Sequence, residues 1–347
     1  MRKASFESDY DNGCLPEILH RLATTNEERA SGYGADPYTE RAKARIRAAC
    51  EMEEADIHFL VGGTQTNATA IDALLRGYEG VLTADTGHIN VHESGAVEAF
   101  GHKVLALPGA EGGKLTAEQI AEYMDKFLSD ETYPHMVQPG MVYITFPTEL
   151  GALYSRQELT DIYATCRRYD LRLYIDGARL GYGLMADGND IDLPYLAHHC
   201  DMFYIGGTKV GALLGEALVF THTRAPKPIF TIIKRHGAVL AKGRVLGLQF
   251  DTLFSDNLYF RVSRHAIEMA KAVKQLFMKH GLPIVGNSPT NQQFVLLTPT
   301  QQQQLLQQVA FEVWERHDDG LLTCRFVTSW ATTEADIATL DEALSQL

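Results

Sequence analysis

Short apolar runs alternate along the chain with longer segments in which apolar residues recur every three to four positions. The runs with the length and composition of strands lie at 80–83, 103–106, 142–145, 171–175, 202–205 and 217–220. The segments with helical periodicity between them lie at 39–52, 66–76, 116–128 and 155–169. This alternation predicts an α/β fold in which a mainly parallel sheet carries helices on both faces.

The pattern changes near residue 256. A long helix is predicted first, and shorter segments follow it; the helical segments lie at 257–280, 301–315 and 333–346, and the strand-like ones at 283–288 and 294–297. The four glutamines at 301–304 begin an amphipathic helix, so we interpret them as a solvated face. The sequence therefore predicts a large domain with an N-terminal arm, 1–255, and a small α+β domain, 256–347.

Composition and charge narrow the function classes. The chain has 347 residues, of which 45% are hydrophobic, as in ordinary globular proteins with a large core. Its net charge of -13 argues against nucleic-acid and anionic-membrane partners, since both would be repelled. The five cysteines are scattered, which fits reduced thiols. With no apolar leader at the N-terminus and no run near ~20 apolar residues, a cytoplasmic location is expected.

Two residues at the ends of apolar runs carry the candidate chemistry. Lys209 follows the run 202–205 and lies among glycines, next to Thr208. Asp176 directly follows the run 171–175 and lies three residues before Arg179. A lysine alone is usually a solvated surface charge, and a strand-end aspartate is often a cap. Together they suggest pyridoxal phosphate, which needs an amine for its aldehyde and an anion beside its pyridine nitrogen.

A third piece lies earlier, where an apolar run leads through Gly62, Gly63 and Thr64 into the helical pattern 66–76. Free N–H groups at such a helix start can bind a phosphate, with Thr64 and Thr66 adding hydroxyl donors. The alternative is a simple turn in which Thr64 caps the helix. The segment matches neither GxxxxGK[ST] nor GxGxxG, which disfavours a nucleotide-binding α/β protein.

In this order the pieces resemble the threonine aldolase and β-eliminating lyase family of fold-type I pyridoxal-phosphate enzymes, and the resemblance covers nearly the whole chain. The other matching pieces are Ser8-Asp9, the segment 32–37, Asp85-Thr86-Gly87-His88-Ile89 with Glu93, and Arg325-Phe326-Val327-Thr328. The resemblance implies that Lys209 forms the Schiff base and that His88 stacks on the cofactor. The implied cofactor-binding residues are Gly63, Thr64, His88, Asp176, Arg179, Thr208, Lys209 and Arg244.

The resemblance also implies how the substrate is held. Arg179 and Arg325, helped by Ser8, would bind its carboxylate, which suits the bidentate geometry of arginine. Arg244 would reach the cofactor phosphate from a neighbouring subunit of a dimer or tetramer. A second family histidine, near the substrate hydroxyl group, is matched by His135. The implied catalytic residues are therefore Lys209, His88 and His135.

The expected activity is that of a carbon–carbon lyase that cleaves L-threonine or a related β-hydroxy amino acid to glycine and an aldehyde. Alternatives are another β-eliminating lyase, an aminotransferase, or a noncatalytic metabolite-binding protein; the last is disfavoured because Lys209, Asp176 and Arg179 are all present. The segment 145–151 departs from the Glu-Asn-Thr-His-Asn-like segment of the family, so Thr148 and Glu149 are expected either to contact the site or to cap a turn.

Two groups of histidines also suggest a possible metal site. His88 and His92 are four residues apart, and His198 and His199 precede Cys200. Neither group has a convincing further ligand in the sequence, so no metal site is predicted.

Overall fold

The computed structural model describes residues 3–222 and 224–347. In this part of the chain the strands are β1 (Ala4–Ser5), β2 (Asp56–Leu60), β3 (Glu79–Ala84), β4 (Val104–Leu107), β5 (Gln138–Thr145), β6 (Arg172–Asp176), β7 (Met202–Gly206), β8 (Glu216–Phe220), β9 (Gln292–Leu297), β10 (Val309–Ala310), β11 (Glu312–Arg316) and β12 (Leu322–Val327). The helices are α1 (Pro16–Thr24), α2 (Pro37–Ala49), α3 (Gly63–Leu74), α4 (His88–Val91), α5 (Ala117–Ser129), α6 (Arg156–Arg168), α7 (Leu180–Met185), α8 (Leu193–His198), α9 (Ile229–Arg235), α10 (Arg244–Leu253), α11 (Leu258–Lys279), α12 (Pro299–Leu305) and α13 (Glu334–Leu344).

A seven-stranded sheet forms the centre of the molecule, in the order β2-β8-β7-β6-β5-β3-β4. All neighbours are parallel except β8, which is antiparallel to both β2 and β7. The predicted mainly parallel sheet is confirmed. The carboxyl ends of β2, β3, β5, β6 and β7 therefore meet the start of β8 at one edge, which is where open α/β sheets bind their ligands.

Alternating side chains bury the two faces of this sheet separately. On β5, Val142 and Ile144 join a core with α2, α5, α6 and α10, whereas Met141 and Tyr143 join a second core with α3 and α9. Because both faces are covered, the strands are apolar along their whole length, which is why each appears in the sequence as a continuous apolar run.

Polar residues at the predicted helix starts fix where the helices begin. Thr116 accepts the N–H of Gln119 and Ser155 accepts that of Glu158, and both glutamine and glutamate side chains bond back to the cap. These capping boxes explain why the predicted helices 116–128 and 155–169 agree with α5 and α6 to within a residue or two.

A smaller antiparallel sheet, β11-β12-β9, packs with α11, α12 and α13 around a third core. The predicted helix 301–315 is wrong: α12 ends at Leu305, and β10 and β11 follow. The reason is non-local pairing, since β10 bonds in parallel to β1 of the N-terminal arm and β11 bonds to β12. The strand-like segment 283–288 makes a single bridge, from Ile284 to Val295. The domain boundary near 255 stays a prediction.

Across residues 3–222 and 224–347, no helix combines the length and the apolar character that crossing a membrane requires.

Candidate active site

The predicted site residues meet at the ligand-binding edge of the seven-stranded sheet. Asp176 is the last residue of β6, and Lys209 lies in a short 3-10 turn after β7. Gly63 begins α3 and His88 begins α4, each just after a strand of the same sheet. They line a cavity of about 300 Å³, the first cavity, in the range of small-molecule sites. The predicted residues that line it are Gly63, Thr64, His88, Asp176, Arg179, Thr208 and Lys209.

Two glycines allow the ends of β6 and β7 to approach closely. A Cβ atom on Gly177 would lie 2.0 Å from the carbonyl oxygen of Tyr204, and one on Gly206 would lie 2.2 Å from the carbonyl oxygen of Ala178. Side chains at either position would push the strand ends apart. The glycines that follow Asp176 and precede Lys209 thus bring the carboxylate and the amine into one cavity.

Asp176 is buried and held by three neutral donors. Its Oδ2 accepts the hydroxyl of Tyr143 at 2.6 Å and the amide of Asn67 at 2.8 Å. Its Oδ1 accepts the backbone N–H of Ala178 at 2.9 Å. Because none of these donors is a cation, the negative charge of a fixed carboxylate faces whatever occupies the cavity.

The same network extends from Asp176 to His88. Asn67 also donates to Glu93 at 2.7 Å, and Glu93 is bonded to Nδ1 of His88 at 2.7 Å. Burial alone would lower the pKa of His88, but the hydrogen bond to Glu93 and the charges of Asp176 and Glu93 outweigh it and raise the pKa. The imidazole is therefore oriented through Nδ1, and its proton is bound more tightly than that of an ordinary histidine.

Lys209 shows the opposite effect. Burial lowers the pKa of its amine, and the charge of Arg179 lowers it further, although Asp9, Asp176 and Glu216 act against this. A lowered pKa increases the fraction of neutral amine, which is the form that attacks an aldehyde.

A second cavity, of about 270 Å³, adjoins the first and shares Tyr10, His88, Glu149, Arg179 and Lys209 with it. Its further walls are His92, Glu312, Trp314 and Arg325. The cavities are therefore separated only by the side chains that line both.

The second cavity contains the arginine predicted at 325. The guanidinium of Arg325 donates to Gln292 at 2.9 Å, forms an ion pair with Glu312 and lies 4.8 Å from the ring centroid of Trp314. Its buried Nε has no hydrogen-bond partner among the described residues. Arg325 and Arg179 thus approach the same cavity from different parts of the chain.

Arg179 is bonded within the chain to the N-terminal arm. Its Nε and Nη2 contact the carboxylate of Asp9 at 2.7 and 3.1 Å, and Asn291 donates to the same carboxylate at 2.9 Å. Ser8 lies beside this pair, and its hydroxyl accepts the N–H of Tyr10 at 3.3 Å. The N-terminal arm therefore contributes to the site in two ways: Asp9 holds Arg179, and Tyr10 lines both cavities.

Three predicted residues line neither cavity within one chain: Ser8, which adjoins Asp9 in the arm, His135 and Arg244. His135 is exposed in a 3-10 turn just before β5, so it lies at the opposite edge of the sheet from Lys209. One chain therefore does not bring His135 to Lys209, and its role near the substrate hydroxyl stays a prediction. Arg244 donates to the carbonyl oxygens of Thr25 and Glu28, at 2.8 and 3.1 Å, away from the residues that line either cavity.

The model of the beta-eliminating lyase family matches residues 6–340. The chain belongs to this family. Its members are pyridoxal-phosphate-dependent lyases. The sequence is 31% identical over 340 residues to a low specificity L-threonine aldolase of a Pseudomonas species, covering 96% of this chain and 95% of that protein.

Solved structures agree with this assignment. The structure of Leishmania major threonine aldolase superposes with a TM-score of 0.95 at 39% identity, over 99% of this chain and 98% of that one. Thermus thermophilus aspartate aminotransferase, at 15% identity and a TM-score of 0.69 over 99% of this chain and 91% of that one, shares the fold. The predicted resemblance and fold-type I architecture are confirmed.

The residues present fit the cofactor of this family. The first cavity supplies an amine of lowered pKa from Lys209 and a fixed anion from Asp176. The helix α3, of 12 residues, begins at this cavity with Gly63 and Thr64. The N–H groups of its first turn are suited to binding a phosphate. Amine, anion and phosphate donors are the three features that pyridoxal phosphate requires.

Two further carboxylates line the first cavity: Glu216, for which the sequence predicted no role, and Glu149, which was expected either to contact the site or to cap a turn. Glu216 begins β8 and accepts the N–H of Gly207 at 2.9 Å, and burial raises its pKa to about 8. Glu149 lines both cavities. Thr148 lines the first cavity and also donates to the carbonyl oxygen of Gly112, which stabilises a turn. Glu216 was detectable in the sequence as a charged residue that opens an apolar run.

Metal-ligating side chains are not clustered at the site. Among residues 3–222 and 224–347, no group of three or more His, Cys, Asp or Glu side chains is arranged to hold a metal ion.

Proposed function

We propose that the protein is a low-specificity aldolase that cleaves L-threonine and related β-hydroxy amino acids to glycine and an aldehyde. The observation that carries the proposal is the pairing of Lys209 and Asp176 in one cavity of a chain that is similar, over nearly its whole length, to proteins named threonine aldolase. When bound, the cofactor withdraws electrons from the substrate Cα so that a bond to that carbon can break.

The residues of the first cavity have separate roles in this proposal. The amine of Lys209 would bind the cofactor aldehyde, and the carboxylate of Asp176 would pair with its pyridine nitrogen. The ring of His88, which is bonded to Glu93 at 2.7 Å, would contact the cofactor. Thr208 and the N–H groups of α3 would bind the phosphate.

The substrate carboxylate is proposed to bind between the two cavities. Arg179 lines both of them, and Arg325 lines the second with its buried Nε free of a hydrogen-bond partner among the described residues. A carboxylate there would satisfy that donor and would be attracted by both guanidinium groups. Holding the carboxylate at two points fixes which bond to Cα can break. Ser8 would add a hydroxyl next to Arg179.

We also propose a homo-oligomer, a dimer or tetramer, located in the cytoplasm. Arg244 supports the oligomer, because its guanidinium lies away from the cavities of its own chain and would contact the phosphate in a neighbouring subunit. The five cysteines support the cytoplasmic location, since all are free thiols. Burial raises the pKa of each thiol.

Product analysis tests the reaction. L-Threonine should give glycine and acetaldehyde in equal amounts, measured by amino-acid analysis and by coupled reduction of the aldehyde. The family match also favours β-elimination as the second candidate, since both reactions begin at the same Cα. Formation of a 2-oxo acid and ammonia in place of glycine would establish elimination and overturn the aldolase proposal.

A further inference from the structure

Glu149 is the carboxylate that faces both cavities. It lies in the loop between β5 and α6, and it shares the boundary of the cavities with Arg179 and Lys209. Its Oε1 accepts the backbone N–H of His88 at 2.9 Å and its Oε2 accepts the hydroxyl of Thr145 at 3.0 Å. Both oxygens are therefore fixed at the boundary of the cavities, where the substrate is proposed to bind.

The carboxylate of Glu149 also keeps the capacity to accept a proton. Each of its oxygens has two acceptor positions, and each has one neutral donor, so a further hydrogen bond can form at either oxygen. Burial raises the pKa of Glu149, and the charge of Asp176 adds to this effect. A carboxylate with a raised pKa is a stronger proton acceptor near neutral pH.

Other titratable groups that line the cavities make different contacts. The carboxylate of Glu312 is paired with Arg325, and Nδ1 of His88 is bonded to Glu93. His92 lines the second cavity and not the first. Tyr10 lines both cavities, and its ring centroid lies 5.9 Å from Nζ of Lys209.

We infer that Glu149 is the catalytic base that removes the proton of the substrate β-hydroxyl group, an inference that rests on the proposed aldol cleavage. The carboxylate takes the hydroxyl proton, and the O–H electron pair forms the aldehyde C=O bond. The Cα–Cβ bond breaks and leaves its electron pair at Cα. Cα takes a proton from the ammonium form of Lys209 to complete glycine. Glu149 then releases its proton to solvent and Lys209 takes one up from solvent, so the net transfer is of one proton from the hydroxyl oxygen to Cα.

The test separates proton removal from every other part of the reaction. Glu149→Gln keeps the size of the side chain and an oxygen for the N–H of His88 but cannot take a proton. In the holoenzyme, cleavage of L-threonine should fall about 10²- to 10⁴-fold in kcat with little change in KM. Exchange of the glycine α-protons in D₂O, followed by proton NMR, needs no hydroxyl deprotonation and should persist. Binding of L-2-aminobutyrate, measured by calorimetry, should match that of the unmodified enzyme.

Glu149→Asp and His92→Asn are the matched variants. Glu149→Asp keeps a carboxylate with a shorter reach and should recover part of the lost cleavage. If Glu149→Gln cleaves L-threonine normally, or if His92→Asn shows the selective loss instead, the assignment is overturned. Equal loss of cleavage, exchange and 2-aminobutyrate binding in Glu149→Gln would mean a structural role and would also overturn it. If the unmodified enzyme exchanges glycine protons but cleaves no β-hydroxy amino acid, the proposed function itself fails.

Discussion

The chemistry of individual residues in this site depends on which neighbours surround them. Lys209 and Asp176 line the same cavity, yet burial and Arg179 weaken proton binding at the amine, while neutral donors leave the carboxylate charge unpaired. His88 is affected in the opposite direction, because Glu93 raises its pKa. One cavity thus contains an amine suited to nucleophilic attack, an anion and a fixed imidazole.

Replacing Asp176 by asparagine tests the role of its charge. Asp176→Asn keeps the shape but removes the anion, so turnover should fall about 10²-fold or more, and reconstituted protein should bind pyridoxal phosphate less tightly. Tyr143→Phe is the matched control, since it removes one donor to Asp176 and leaves the charge. Tyr143→Phe should lower turnover less than Asp176→Asn does, as measured by steady-state kinetics. Equal loss of turnover in the two variants would argue against a role for the charge.

Glu216 makes the stability of the cofactor-free protein depend on pH. Its pKa rises from an ordinary 4.5 to about 8 because it is buried, so the folded protein holds a proton there that the unfolded chain releases. The stabilisation from Glu216 is complete below pH 4.5 and is lost as pH rises through about 8. Relative to Glu216→Gln, the free energy of unfolding should fall by at most about 1.4 kcal/mol per pH unit in that window. Urea denaturation at several pH values measures this, and parallel curves for the two proteins would refute it.

The residues that end apolar runs could be found in the sequence, whereas those that orient them could not. Lys209 and Asp176 follow recognisable strands, so their place at one sheet edge follows from topology. Asn67 contacts Glu93 and Asp176 across separations of 26 and 109 residues, and no local pattern encodes such pairs. His135 was matched by residue type alone, and it precedes its strand, so its own chain does not bring it to the cavities.

At the scale of elements, the site depends on how closely β6 and β7 approach. Gly177→Ala places a methyl group against the carbonyl oxygen of Tyr204, so the protein should lose about 1–3 kcal/mol of stability and bind the cofactor less tightly. Gly77→Ala is the control, since its Cβ would meet nothing within 4 Å. Denaturant unfolding and absorbance titration measure both effects. Equal stability of the two variants would show that the approach is not sterically limited.

Helix and strand prediction succeeded where local signals and tertiary packing agree. Capping boxes and two-sided burial fixed α5, α6 and the strands of the central sheet. The segment 301–315 failed because its apolar spacing fits a helix, while its second half pairs with β1 and β12, which lie far away in sequence.

At the scale of the whole molecule, a chain of net charge -13 must attract an anionic substrate and cofactor through local cations. Arg179 and Arg325 provide them at the cavities, and Arg244 is proposed to act in a neighbouring subunit. Mixing two inactive variants, Lys209→Ala and Arg244→Ala, should then restore activity, because one hybrid site contains both intact residues.

A second mixture is the control for subunit sharing. Lys209→Ala with Asp176→Asn should stay inactive, since both residues belong to the same chain's site. Activity assays after subunit exchange measure both mixtures. Failure of the first mixture, with subunit exchange shown by mass-tagged chains, would argue against a shared site.

Lys209 is proposed to bind pyridoxal phosphate in the first cavity, and the absorbance spectrum of the reconstituted protein tests this binding. The unmodified protein should acquire a visible band from the covalently bound cofactor, and that band should be retained after desalting and should shift when glycine or L-threonine is added. Lys209→Ala should lack the band. A visible band of equal intensity in Lys209→Ala, or none in the unmodified protein at saturating cofactor, would contradict the account.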